Sequence, residues 1–107
     1  MSHVRNYAIV VCSEIADDLG AAFTCAVLTF PVVSEITPKQ TNGSRSFFIP
    51  PDGSKRNWPE ALEGDRRREF YKEWLRKNSD LLCVSWVELY FGGDDDAAAI
   101  TDQGRLT

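Results

Sequence analysis

Few residues in this chain have the capacity for catalysis, and they do not form a recognised pattern. Nucleophilic catalysis requires a base beside a serine or cysteine, but the single histidine, His3, lies in an N-terminal segment predicted to be mobile. Cys12, Cys25 and Cys83 are far apart in apolar stretches, which is typical of buried free thiols in a reducing compartment. This spacing does not suit a zinc site. We therefore predict no enzyme activity, no metal and no cofactor.

The densest group of carboxylates is the run Asp94, Asp95 and Asp96. Calcium loops alternate acidic ligands with spacers, and a consecutive run lacks that spacing. Two interpretations stay open, a solvated loop and a charged docking surface. Residues 80–107 contain six acidic residues against the single basic Arg105, and a negative surface of this kind favours docking into a basic groove.

The basic residues are concentrated in one segment of a chain whose net charge is −4. Residues 53–77 contain eight basic and five acidic residues, whereas the rest contains four basic and eleven acidic residues. Such a segment can bind phosphates, but three consecutive arginines spread around a helix rather than forming one patch. A solvated helix face, a partner-binding face and a nucleic-acid site remain alternatives. The candidate side chains are Arg66, Arg67, Lys72 and Arg76.

Hydrophobic patterning predicts strands over residues 7–15, 21–33, 46–49, 81–91 and 97–101. Residues 17–20 (Asp-Asp-Leu-Gly) are typical of a turn, so the first two strands are predicted to form a hairpin. Both faces of the first strand are largely apolar, which is expected of a strand covered on both sides or on one side by a helix.

A helix is predicted over residues 65–78, and a separate helical turn is predicted before it at residues 58–62. Gly64 is predicted to separate the two. An apolar stripe on this helix comprises Phe70, Tyr71, Trp74 and Leu75. The three tryptophans, Trp58, Trp74 and Trp86, are predicted to build the core, and any that is exposed would be a candidate interface anchor.

These elements predict one α+β domain over residues 1–107, with residues 1–5 and 102–107 mobile. Its sheet would be antiparallel with 4–5 strands in the order ββ(β)αββ, and one main helix would pack on one face. No apolar run reaches the roughly 20 residues that span a bilayer, and the N-terminus lacks the pattern of a signal peptide. A cytoplasmic location is expected.

Two stretches of the chain resemble small proteins of unknown function from bacteriophages and prophages. The first is residues 47–55, Phe-Phe-Ile-Pro-Pro-Asp-Gly-Ser-Lys, followed by Trp58, Gly64-Asp65 and Trp74-Leu75. The second is Trp86-Val87-Glu88 leading into an acidic Gly-Gly-Asp-Asp-Asp turn. Small acidic phage proteins of this size include anti-CRISPR and other anti-defence inhibitors, so the resemblance implies an inhibitor acting in the host bacterial cytoplasm.

The leading hypothesis is a non-enzymatic inhibitor that binds a bacterial protein or protein–RNA complex through an acidic surface. Its predicted contact residues are Asp94, Asp95, Asp96, Glu88 and Tyr90, and Glu88 indicates that its strand face reaches water near Tyr90. The alternative is a small nucleic-acid-binding or regulatory module that uses helix 65–78, although direct nucleic-acid binding is not favoured by the net acidic charge. No membrane partner is expected, and the target and oligomeric state stay open.

Overall fold

A computed structural model describes residues 6–55, 57–92 and 97–104 of the chain. The main elements are β1 (Asn6–Ser13), α1 (Ala16–Thr29), β2 (Arg45–Ile49), α2 (Pro59–Lys77), β3 (Ser85–Phe91) and β4 (Ala99–Gly104). A single 3₁₀ turn, Thr41–Gly43, precedes β2.

The four strands form one antiparallel sheet in the order β2-β1-β3-β4. Val10 of β1 lies at the centre of the register, between Phe48 of β2 and Val87 of β3. Both helices contribute side chains to a core on the same face of the sheet. The predicted α+β class and antiparallel sheet are therefore confirmed, and the predicted order is approximately right.

The predicted second strand, residues 21–33, is wrong because most of it belongs to α1. Its Val, Leu, Thr and Phe residues favour a strand, but Leu19, Ala22 and Ala26 recur at helical spacing and are all buried. Packing of this helical face overrides the local propensity. The predicted turn at residues 17–20 lies in the first part of the helix. There the negative charges of Asp17 and Asp18 interact favourably with the positive end of the helix dipole.

The predicted break at Gly64 is also wrong, since α2 runs through it without interruption. Gly64 lies where the helix is approached closely: a Cβ there would be 2.5 Å from Oδ2 of Asp52. Asp52 is held in place because its Oδ1 accepts hydrogen bonds from the backbone N–H of Ser54 at 2.9 Å and from the Ser54 hydroxyl at 2.6 Å. The glycine is explained by this contact rather than by a helix end.

The core joins α1 and α2 to the covered face of the sheet. Its buried members are Ile9, Val11, Leu19, Ala22, Ala26, Phe47, Ile49, Tyr71, Leu75, Val84 and Trp86. From the predicted stripe of α2, Tyr71 and Leu75 are buried, Trp74 is half-buried, and Phe70 is exposed.

Two predictions about core residues need correction. Trp86 is buried and Trp74 half-buried, but Trp58 is exposed, immediately before α2, with the ammonium of Lys55 5.4 Å from its ring centre. The cysteines are free as predicted, yet none is fully buried. Cys83 is exposed because it precedes β3 rather than lying inside a strand.

Both outer strands of the sheet are protected against pairing with another strand. Along β2, the backbone N–H groups of Ser34 and Thr37 donate to the carbonyls of Phe48 and Ser46 at 2.9 and 2.8 Å. The other outer strand, β4, has a register shift opposite Glu88/Leu89. Bulges and inward-facing charges commonly prevent an outer strand from pairing with a further strand. Asp102 of β4 is such a charge, because it lies opposite Glu88 in the strand register and so faces the covered side of the sheet.

The end of the chain that is predicted to be mobile, residues 102–107, includes part of a strand. Asp102 and Gly104 belong to β4, and the mobility of both ends stays a prediction. Asp102 is held there by Arg76 of α2. Residues 1–5, which include His3, and residues 105–107 lie outside the described residues.

Candidate interaction surface

The sheet has one covered face and one face on which no described helix packs. Alternation along β1 places Ile9 and Val11 in the core and directs Val10 to the opposite side. We call this uncovered surface the open face. Its residues, assigned by strand register, are Asn6, Ala8, Val10, Cys12, Ser46, Phe48, Ser85, Val87, Leu89, Phe91, Ile100 and Gln103.

The open face is mostly apolar, with Asn6, Ser46, Ser85 and Gln103 as its polar residues, and carries no charged side chain among the residues that the structure describes. Phe48, Phe91 and Ile100 are 44, 40 and 60% exposed. Four strands about 4.8 Å apart and some 20 Å long give a surface of roughly 400 Å². The largest apolar patch of a typical monomer covers about 300–600 Å² and is often functional. A shallow hollow lies near its centre, lined in part by Val10, Cys12 and Val87.

The opposite face contains a buried cluster of charges beneath α2. Glu88, 4% exposed, lies in the middle of β3 and faces the helix. Its Oε1 accepts hydrogen bonds from Nζ of Lys72 at 3.1 Å and from the hydroxyl of Thr101 at 2.8 Å. Its Oε2 lies 3.6 Å from Nε of Arg68. A charge can be buried at modest cost only when it is paired and hydrogen-bonded in this way.

The same cluster ties β4 to α2. Oδ2 of Asp102 lies 3.2 Å from Nζ of Lys72 and also accepts a hydrogen bond from Arg76. Lys72 reaches Oε2 of Glu69 on its own helix at 2.8 Å. The guanidinium of Arg76 in addition lies 5.4 Å from the ring centre of Trp86. The polar side of α2 therefore binds the sheet through charges, beside the apolar contacts of Tyr71.

These contacts shift the ionisation of the two groups at the centre of the β4 contact. Burial acts to lower the pKa of Lys72, but hydrogen bonds to Glu69 and Glu88 outweigh it, and the pKa is raised. Burial acts to raise the pKa of Asp102, but hydrogen bonds from Arg76 and Lys72 outweigh it, and the pKa is lowered. Both groups are thus held in their charged forms.

The predicted acidic contact surface is only partly located. Asp94, Asp95 and Asp96 lie outside the described residues. Glu88 does not reach water: the expectation that its strand face is solvated is wrong, because α2 supplies Lys72 and Arg68 as partners. Tyr90 is half-buried, with its ring centre 5.0 Å from that of Tyr7.

The residues predicted as an alternative basic face separate into two groups. Arg66 and Arg67 lie on the exposed side of α2, each within 3.6 Å of the carboxylate of Glu63. Lys72 and Arg76 turn toward the sheet and contact Asp102. Glu88 and Lys72, which the sequence placed on two rival binding surfaces, contact each other instead.

The open face was not identified from the sequence, although its signal is present there. Both faces of β1 are largely apolar in the sequence, and this pattern is compatible with a strand that is covered on both faces or on only one. The predicted strand over residues 21–33 implies a larger sheet, whereas in the structure this segment is mostly α1, which packs on the same side of the sheet as α2. The chain therefore leaves Val10 and its neighbours without a covering layer among the described residues.

Comparison of the chain with protein-family models, with curated proteins and with solved structures finds no match. Within the described residues, no group of three or more His, Cys, Asp or Glu side chains is arranged to hold a metal ion. Neither described helix combines the length and apolar character needed to cross a bilayer.

The lowered pKa of Asp102 predicts a specific acid sensitivity. Because the pKa is lower in the folded than in the unfolded chain, the stabilisation is present above the unfolded value of about 3.9 and is lost as pH falls through the folded value. We expect Asp102→Asn to be less stable than wild type at pH 7 and the difference to shrink below about pH 4. Urea unfolding of both proteins across pH 2–7 measures this. A difference that stays constant with pH would contradict the assigned ion pairs.

Proposed function

We propose that this protein is a non-catalytic protein-binding domain and that the open face is its main contact surface. The observation that carries the proposal is the mostly apolar surface of four strands, uncharged in its described residues, with Val10 and Val87 at its centre. Burial of such a surface against another polypeptide removes apolar area from water, which is the dominant favourable term in association.

The arrangement of the charged residues supports binding rather than chemistry. A catalytic acid or base has to reach a substrate, whereas Glu88 and Lys72 lie between α2 and the sheet, 4 and 6% exposed at the edge of a hollow, and are hydrogen-bonded to each other. Their geometry is that of a contact stabilising the fold. The side chains exposed on the open face are suited to packing and not to proton transfer.

Within this proposal, the specific target class remains the one suggested by the acidic composition. Asp94, Asp95 and Asp96 connect β3 to β4 in the sequence, and both strands contribute to the open face. An anti-defence inhibitor could combine apolar packing with attraction to a basic site on a nucleic-acid-handling complex. Replacement of all three aspartates by lysine should then weaken binding to such a complex and reduce its salt dependence; unchanged binding would contradict the electrostatic part.

The nucleic-acid alternative has less support from the contacts of α2. Lys72 is buried and Arg76 is paired with Asp102, so neither extends freely toward a phosphate. Arg66 and Arg67 share the carboxylate of Glu63. Salt-dependent binding to DNA or RNA, with loss on replacement of Arg66 and Arg67, would revive this alternative.

Site-specific photo-crosslinking tests the proposed surface. A photo-reactive amino acid is placed at Val87 on the open face and, as a matched control, at Leu28 of α1, which is 82% exposed. In cells that express the protein, we expect a discrete crosslinked protein product from position 87 and not from position 28. Equal products from both positions, or none from position 87, would contradict the proposal.

A further inference from the structure

We propose that a pocket on the covered side of the sheet binds a free α-amino acid with an apolar side chain. This site is separate from the open face and does not depend on it. Ile9 lines the pocket, whereas its neighbour Val10 belongs to the open face. Because successive side chains of a strand point to opposite sides, the two sites lie on opposite sides of β1.

The pocket lies where the ends of several elements meet. Its walls come from the start of β1, the segments that follow α1 and β2, and the first half of α2. Its volume is about 240 Å³. Sites for drug-sized molecules have volumes of roughly 300–1,000 Å³, so this pocket suits a smaller ligand.

The walls are mostly apolar, and the polar groups are few. Ile9, Phe30, Val32 and Ile49 are among the apolar lining residues, and they suit an aliphatic or aromatic side chain. Charged side chains enter the lining at three positions, Asp52, Arg67 and Arg68. An apolar pocket with a small number of placed polar groups is the usual construction of a small-molecule site.

Asp52 provides an acceptor for a cationic group. Its Oδ1 is occupied by the backbone N–H and hydroxyl of Ser54, but no described residue donates a hydrogen bond to its Oδ2. The Oδ2 atom lies over Gly64, where a Cβ would be only 2.5 Å away. Asp52 is exposed, so the ammonium group of a ligand can reach it.

Arg67 provides a donor for a carboxylate. Its guanidinium makes no hydrogen bond to a described residue, and its nearest carboxylate oxygen, Oε1 of Glu63, is 3.6 Å away. An ion pair of this kind at the surface contributes little, and a guanidinium binds a carboxylate strongly through two parallel hydrogen bonds. Arg68 differs because Asp65 and Glu88 already engage it, so it forms part of the wall.

The spacing of these groups favours a free amino acid over other small ligands. Gly64, which Asp52 contacts, lies three positions before Arg67, so the two are neighbours on one face of α2. A free amino acid carries an ammonium, a carboxylate and a side chain on one carbon, and these match the two charges and the apolar walls. A peptide terminus or an apolar carboxylic acid brings only one charge and leaves Asp52 or Arg67 without a partner.

Calorimetric titration with L-leucine tests the proposal. We expect the purified wild-type protein to bind leucine with a Kd below about 1 mM. Arg67→Gln should weaken binding by at least about tenfold, as is usual for loss of a hydrogen bond to a charged group. The matched control is Arg66→Gln, because Arg66 also pairs with Glu63, at 3.5 Å, but does not line the pocket; it should bind like the wild type.

Leucine derivatives separate the roles of the groups. Leucinamide lacks the carboxylate, N-acetylleucine lacks the ammonium, and glycine lacks the side chain, so each should bind at least about tenfold more weakly than leucine. Arg67→Gln should then have little further effect on leucinamide, and Asp52→Asn little further effect on N-acetylleucine. Circular dichroism confirms that each variant is folded, and the Arg67 comparison remains decisive if Asp52→Asn unfolds.

Nuclear magnetic resonance locates the bound amino acid. Leucine should shift the backbone amide signals of Ile49 and Gly64 in the pocket and leave that of Val87 on the open face unchanged. Absence of leucine binding, equal affinity of Arg67→Gln and Arg66→Gln, or shifts confined to the open face would overturn the proposal. None of these results bears on the protein-binding role of the open face, which the crosslinking experiment tests separately.

Discussion

Replacement of Lys72 with methionine should lower the free energy of unfolding by about 3–5 kcal/mol. The substitution removes the ammonium that lies 3.1 Å from Oε1 of Glu88 and leaves that carboxylate, 4% exposed, with Thr101 and the more distant Arg68. Breaking a buried pair is expensive because the remaining charge stays in a poorly solvated position. Urea denaturation measures the loss.

The double variant Lys72→Met/Glu88→Leu should recover most of that stability. Once Glu88 is also removed, Asp102 retains Arg76, and Arg68 retains Asp65. Each charged side chain that remains in the buried cluster then keeps a partner. The two new apolar side chains are expected to pack against each other. Replacing both partners of a buried pair is often neutral or stabilising.

The matched control for this cycle is Lys77→Met, on the exposed side of the same helix. Its effect should stay within about 0.5 kcal/mol, as is usual for surface substitutions. A single Lys72→Met variant as stable as Lys77→Met, or a double variant as unstable as the single, would show that the buried pair does not anchor α2.

Replacement of Tyr71 with alanine should lower the free energy of unfolding by about 3–5 kcal/mol, the range for removal of a large core side chain. Tyr71 is fully buried, and its ring packs edge-to-face with Phe30 and stacks with Trp74. Its hydroxyl donates a hydrogen bond of 2.7 Å to the carbonyl of Ala22 and so joins α2 to α1. The alanine variant loses both the packing and the bond.

The phenylalanine variant separates these two contributions. Tyr71→Phe keeps the ring and removes one hydrogen bond to the Ala22 carbonyl, which lies inside α1 and keeps its intrahelical donor. It should cost about 0.5–1.5 kcal/mol. Thermal and urea unfolding of the two variants provide the comparison. If Tyr71→Phe is as unstable as Tyr71→Ala, the ring contacts contribute little and the described packing is contradicted.

The sequence predicted the sheet better than it predicted the elements around it. The periods of β1, β2 and β3 are visible because apolar residues alternate or run without interruption through short segments. The sequence does not predict α1 because Phe23, Thr24 and Val27 favour strands locally, while the decisive contacts of Ala22 and Ala26 are with distant residues in the core. Small residues such as alanine give little periodic signal in a sequence.

The candidate surfaces were harder to predict for a related reason. A carboxylate in a strand is ordinarily solvated, so the sequence predicts Glu88 to lie at the surface. The contact that buries it is with Lys72, sixteen positions earlier in the chain. The open face exists because no described helix packs on that side of the sheet. This could be known only once both helices were seen to pack on the other side. Sequence periodicity specifies which residues share a face, but not which face is covered.

The most direct test of the account is the reactivity of Cys12, which lies on the open face of β1. In a variant carrying Cys25→Ser and Cys83→Ser, the rate at which a maleimide modifies Cys12 is measured for the purified protein alone and in a bacterial lysate depleted of small thiols. We predict a lower rate in the lysate, and added Val87→Glu should remove the difference. A rate that is the same in both, with and without Val87→Glu, would contradict the claim that another polypeptide covers the open face.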